Sequence, residues 1–88
     1  MKLTPLVSPG GVGVAAQLRD AIAAQLPGAI VLVTPGNPGH FGISVTSEEF
    51  RGKSRLACQR LVYKAIGPLM QGERAPVHAV DQLETKTP

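Results

Sequence analysis

AIVLVTPGNPGHFGISVT, residues 29–46, decides how this chain folds. Its first six residues form a continuous, largely β-branched apolar run, the composition of a strand. PGNPG, residues 35–39, offers turn chemistry at every position. HFGISVT then alternates: Phe41, Ile43 and Val45 share one face, and His40, Gly42, Ser44 and Thr46 share the other. Two strands joined by so short a loop make a hairpin, and its apolar face needs a cover.

The cover lies on both sides of the hairpin in sequence. Upstream, Val14, Ala15, Leu18, Ala21, Ile22 and Leu26 recur at helical spacing, with Gln17, Arg19 and Asp20 opposite. Leu26-Pro27-Gly28 stops that helix. MKLTPLVSPGG, residues 1–11, has no periodicity and two prolines, so it reads as a flexible tail before a domain spanning 12–88. Downstream, SEEFRGKS (47–54) is a compact connection with room for one helical turn, and Ser54 is a good N-cap. Cys58, Leu61, Val62, Ala65, Ile66 and Leu69 then form an apolar stripe, with Arg55, Gln59, Arg60 and Lys64 largely off it. QGERAP ends this second helix. VHAVDQLET (77–85) reads as a third strand, with Val77, Ala79 and Leu83 on one face and His78, Val80, Gln82 and Glu84 on the other.

The order is therefore α-β-β-α-β. It predicts an α+β domain with a mixed three-stranded sheet and both helices packed on one face. By strand parity, His40 and His78 both point to the uncovered face.

Composition narrows the functions. The chain has 88 residues, one domain's worth, and a net charge of +3, which permits phosphates or acidic partners without demanding them. Phe41, Phe50 and Tyr63 are its only aromatics, too few for a base-stacking platform. Cys58 is the only cysteine, which points to a reducing compartment such as the cytoplasm. No apolar run reaches the roughly 20 residues that span a bilayer, and the broken N-terminus does not read as a signal peptide.

Few residues could carry chemistry. His78 could ligate a metal, but one imidazole cannot close a four-coordinate site, so other ligands would come from His40, Cys58 or another chain. Cys58 sits on the apolar stripe, where a thiol acts as a small hydrophobe. Arg51, Lys53, Arg55, Arg60 and Lys64 cluster around a loop feeding a helix, a candidate nucleic-acid surface. RGKS (51–54) lacks the leading glycine of a nucleotide-binding loop. No nucleophile–base arrangement stands out, so the residues alone describe a small binding module and not an enzyme.

HFGISVTSEEFRGKSRLACQRLVYKAI (40–66) and VHAVDQLETKTP (77–88) resemble the BolA family. The most specific pieces are SEEFRGKS, RLVYKAI and VHAV, and the likeness runs over residues 13–88. It implies a class II KH-like fold. It also implies pairing with a monothiol glutaredoxin, with a 2Fe–2S cluster held by the glutaredoxin cysteine, glutathione and ligands from this chain. The histidine of the family's V-H-A-L motif falls on His78. The family's second ligand, a cysteine or histidine in the hairpin loop, has no equivalent here: Asn37 stands in that place, and His40 is the nearby candidate. Some relatives point instead to DNA as the partner and to transcriptional regulation, in the stress response or cell morphology. Alone, the chain is expected to be a monomer or a weak homodimer.

Overall fold

The computed structural model describes residues 11–88. Apart from Gly11, the expected tail lies outside the described residues. Helix α1 runs Gly11–Gln25, strand β1 Ile30–Pro35 and strand β2 His40–Thr46. Helix α2 runs Arg55–Ile66 and strand β3 Ala79–Lys86, with short 3-10 turns at Glu48–Phe50 and Gly67–Leu69. The order is the expected α-β-β-α-β, and the sheet is mixed. β1 and β2 are antiparallel, β2 and β3 parallel, with β2 in the centre. A hairpin links the antiparallel pair, and α2 supplies the crossover that the parallel pair needs.

Local chemistry sets the ends of these elements. Gly28 adopts a φ of +84°, which only glycine takes without strain, and the chain leaves α1 there. The Ser54 hydroxyl accepts from the Ala57 N–H at 3.1 Å and caps α2. Ser47 does the same for the preceding 3-10 turn, accepting from Glu49 N–H at 3.0 Å. The apolar stripe of the second helix extends to Leu69 in sequence, yet the α-helix stops at Ile66. Pro68 has no N–H to donate, and residues 67–69 tighten into a 3-10 turn.

The core lies between the helices and one sheet face. Leu18, Ile22 and Leu26 of α1 meet Val31, Phe41, Ile43 and Val45 of the hairpin and Cys58, Val62, Ala65 and Ile66 of α2, all buried. The opposite face is open. On it Ser44 Oγ donates to Glu84 at 3.0 Å across the parallel pair, and Ile30 and Leu32 are exposed.

The third strand departs from the sequence reading in one respect. Simple alternation would put Ala79 and Leu83 on the covered face and leave Val80 outside. Instead Phe41 pairs with Val80 while the next residue, Gly42, pairs with Gln82. Asp81 is thus an extra residue, a β-bulge. Val80 and Leu83 both pack on the core, and Ala79 lies opposite His40 on the open face. The bulge resolves a conflict: unbroken alternation with Leu83 inward would drive the Asp81 carboxylate toward the core, at the cost of desolvating a charge.

Candidate functional site

The hairpin turn is the platform of the site. His40 N–H donates to the Asn37 carbonyl at 2.8 Å, closing a turn around Pro38 and Gly39. Proline at the second position and a glycine with φ +80° at the third make it a type II turn. Gly36 N–H donates to the His40 carbonyl at 2.9 Å, a single bond just beyond the last ladder pair, Pro35 and Phe41. One residue earlier, Pro35 falls at a non-bonded position, where its missing N–H removes nothing from the ladder.

His78 is docked onto this turn. Its backbone N–H and that of Ala79 both donate to the Gly39 carbonyl, at 2.8 and 3.1 Å. Val77, buried to 1% exposure, anchors the segment from the other side and donates to Leu69 at 3.1 Å. The imidazole itself is exposed and covers Gly39: a Cβ on that glycine would stand 2.8 Å from His78 Cγ. Glycine is therefore needed at 39 twice, for its φ and for the ring above it. Gly39→Ala should cost about 1–3 kcal/mol in chemical denaturation and shift the His78 ring resonances. Unchanged stability and unchanged resonances would contradict this packing.

The exposure expected of His78 is therefore present, but not by strand parity. His78 precedes β3, which starts at Ala79, and its place is set by the turn it covers. His40 does lie on the open face, half-exposed at 38%, with Nδ1 3.0 Å from Oδ1 of Asp81. A pocket of about 360 Å³ opens beside the turn, lined by Val14, Pro35, Pro38, His40, Phe41 and Pro76. Among the described residues, no three histidine, cysteine, aspartate or glutamate side chains converge as a metal site. What the chain offers is one exposed imidazole over Gly39 and a second, carboxylate-bound, at the end of the same turn. Such a donor set fits a share of a cluster completed by another molecule's thiolates. Asn37, where the family resemblance implies a loop ligand, has only a neutral amide.

Cys58 is apart from this site. It is buried at 4% exposure in the core, with Sγ 3.8 Å from the Phe50 carbonyl. Cys58→Ala should cost roughly 1 kcal/mol through lost packing, and the native thiol should react slowly with a disulfide reagent. Fast stoichiometric labelling of the folded protein would show the thiol to be accessible.

The five basic residues occupy separate settings. Arg51 makes a two-pronged ion pair with Glu48, Nε to Oε1 at 2.9 Å and Nη2 to Oε2 at 3.0 Å. That guanidinium holds the Glu48 carboxyl below its ordinary range, and the pairing raises Arg51 in return. Lys53 Nζ donates to the Glu49 carbonyl at 2.7 Å. Arg55 lines a groove with Gln59, Glu84 and Lys86. Arg60 and Lys64, one turn apart, are exposed on α2 together with Leu56 and Tyr63.

Sequence reasoning found His78, His40 and Cys58 but missed Asp81 and the role of Gly39. The signal for Asp81 was available, since a carboxylate shares the parity of Ala79 and Leu83. The contact between Gly39 and His78 joins residues 39 positions apart, and no local pattern encodes it.

The family model described as BolA-like protein matches residues 22–88. Among solved structures, the chain is similar to a BolA protein homologue from Coxiella burnetii, with 33% identity and a TM-score of 0.68 over 83% of this chain and 88% of that one. It is also similar to the BolA1 protein from Mus musculus, with 27% identity and a TM-score of 0.70 over 100% and 76%. Yeast Fra2 shares 32% identity and a TM-score of 0.57 over 85% and 75%. No curated protein sequence matches the chain.

Proposed function

The chain belongs to the BolA-like family, and from that premise we propose that it is a non-enzymatic adaptor that pairs with a monothiol glutaredoxin and shares a 2Fe–2S cluster with it. The observation that carries this reading is His78. The scaffold spends a buried valine, two backbone hydrogen bonds and a glycine on fixing a segment whose imidazole is left exposed. Among the described residues that ring has no side-chain hydrogen bond of its own. A neutral imidazole in such a place is a good iron ligand.

The family resemblance implies the division of labour. The glutaredoxin cysteine and glutathione would supply thiolates, and this chain would supply His78, with His40 as the nearest second donor. A cluster bridged in this way serves as cargo for iron–sulfur trafficking or as a sensor of iron and redox state. A reducing compartment, with the cytoplasm as the expected one, suits a cluster ligated partly by glutathione. Among the described residues, no helix is long and apolar enough to cross a membrane. DNA as the alternative partner draws less support: Arg51 is already bound to Glu48, and Lys53 to a backbone carbonyl.

The test is co-expression with a monothiol glutaredoxin, followed by visible absorption of the purified complex. The chain alone should be colourless. The heterodimer should be coloured, with a spectrum different from that of the glutaredoxin homodimer. A complex that forms without colour, or with the homodimer spectrum, would leave the chain a docking protein without a share in the cluster.

A further inference from the structure

The bulge in β3 has a chemical consequence. Without the extra residue, Asp81 would follow the parity of Ala79 and Leu83. With it, the carboxylate lies against the hairpin, with Oδ1 3.0 Å from His40 Nδ1 and Oδ2 3.9 Å from where a Cβ on Gly36 would be. Bulges commonly re-aim a side chain beside a functional site.

An ionised carboxylate can only accept hydrogen bonds. A neutral imidazole that donates from Nδ1 must keep a lone pair on Nε2. The observed contact therefore selects one tautomer of His40. Metal-binding histidines are commonly held in this way, with one ring nitrogen on a carboxylate and the other on the metal. His40 closes the turn that His78 covers, so the two imidazoles belong to the same corner of the fold.

We propose that Asp81 is a positioning residue that fixes His40 as its Nδ1–H tautomer and presents Nε2 as the second donor of the site His78 begins. The use of that nitrogen rests on the shared-cluster reading; the tautomer does not. His40 would thereby replace the loop ligand that Asn37 cannot supply, and its ring would be set before any partner arrives.

The experiment has two arms. In the first, the protein carries ¹⁵N-labelled histidine and is examined alone by long-range ¹H–¹⁵N correlation at pH ~8.5, above the ordinary imidazole pKa of about 6.5. His40 should show a protonated Nδ1 and an unprotonated Nε2. Asp81→Ala should abolish that preference, and Asp81→Asn, which keeps an acceptor oxygen, should retain much of it. His78 should be unchanged throughout. A His40 tautomer that is the same with and without the carboxylate would overturn the proposal. In the second arm, each variant is paired with a monothiol glutaredoxin. Asp81→Ala should move the visible spectrum in the same direction as His40→Ala, with Asp81→Asn between it and the parent. Spectra indifferent to both alanine variants would overturn the assignment of His40 as a donor. No colour in the unsubstituted pair would instead sink the shared-cluster reading, and the first arm would still decide whether Asp81 sets the tautomer.

Discussion

His78→Ala is expected to abolish the distinct visible spectrum of the heterodimer while the chain stays folded. The two halves of this result have separate causes. The imidazole is exposed and makes no side-chain hydrogen bond among the described residues, so truncating it should change stability by no more than about 0.5 kcal/mol. The backbone that carries it is held independently, by Val77 in the core and by the Gly39 carbonyl. The ligand would be lost and its mount kept. Absorption of the purified complex reads the first half, and a denaturation curve reads the second. A variant whose complex keeps the parent spectrum would remove His78 from the site and end the cluster reading. A variant that unfolds would show instead that the ring over Gly39 is structural.

The largest effect on stability is expected at Ile66. Its side chain is 0% exposed at the end of α2, where the helix tightens into the Gly67–Leu69 turn. Truncating a fully buried isoleucine to alanine costs about 2–5 kcal/mol, from lost transfer energy and the cavity left behind. Domains of this size are stable by only some 5–15 kcal/mol in total. Ile66→Ala should therefore lower the melting temperature by roughly 10–25 °C. Leu32→Thr is the matched control. Leu32 is 64% exposed on the open sheet face, and its replacement should cost no more than about 0.5 kcal/mol. Comparable losses in the two variants would mean that the open face is as well packed as the covered one, contrary to this architecture.

The hairpin shows what was legible in the sequence. PGNPG holds the turn, and the alternation of HFGISVT sets the buried face without reference to any other part of the chain. The same is true of the helices: their stripes, the Ser54 cap and the Leu26-Pro27-Gly28 stop are all local signals, and local backbone chemistry is what short stretches encode. Cys58 was placed correctly because helical spacing alone puts it beside Leu61 and Val62.

Strand β3 and the site beside it were only partly legible. VHAV points to His78 through a family resemblance, and a sequence pattern can mark a residue without fixing its surroundings. Alternation assigned Ala79 to the core, whereas the tertiary structure assigned Val80. The reason is that β3 pairs with a strand more than thirty residues earlier in the chain, and its register is settled by packing on α2 and the hairpin. One extra residue, Asp81, reconciles two apolar anchors, Val80 and Leu83, that alternation could not place on the same side. The same long-range fit brings Asp81 to His40 and lays His78 over Gly39. Sequence determined the elements and the faces that the helices and the hairpin bury, because those depend on neighbours in the chain. The meeting of two histidines, a carboxylate and a glycine around one turn depends on neighbours in space, and only the folded structure decided it.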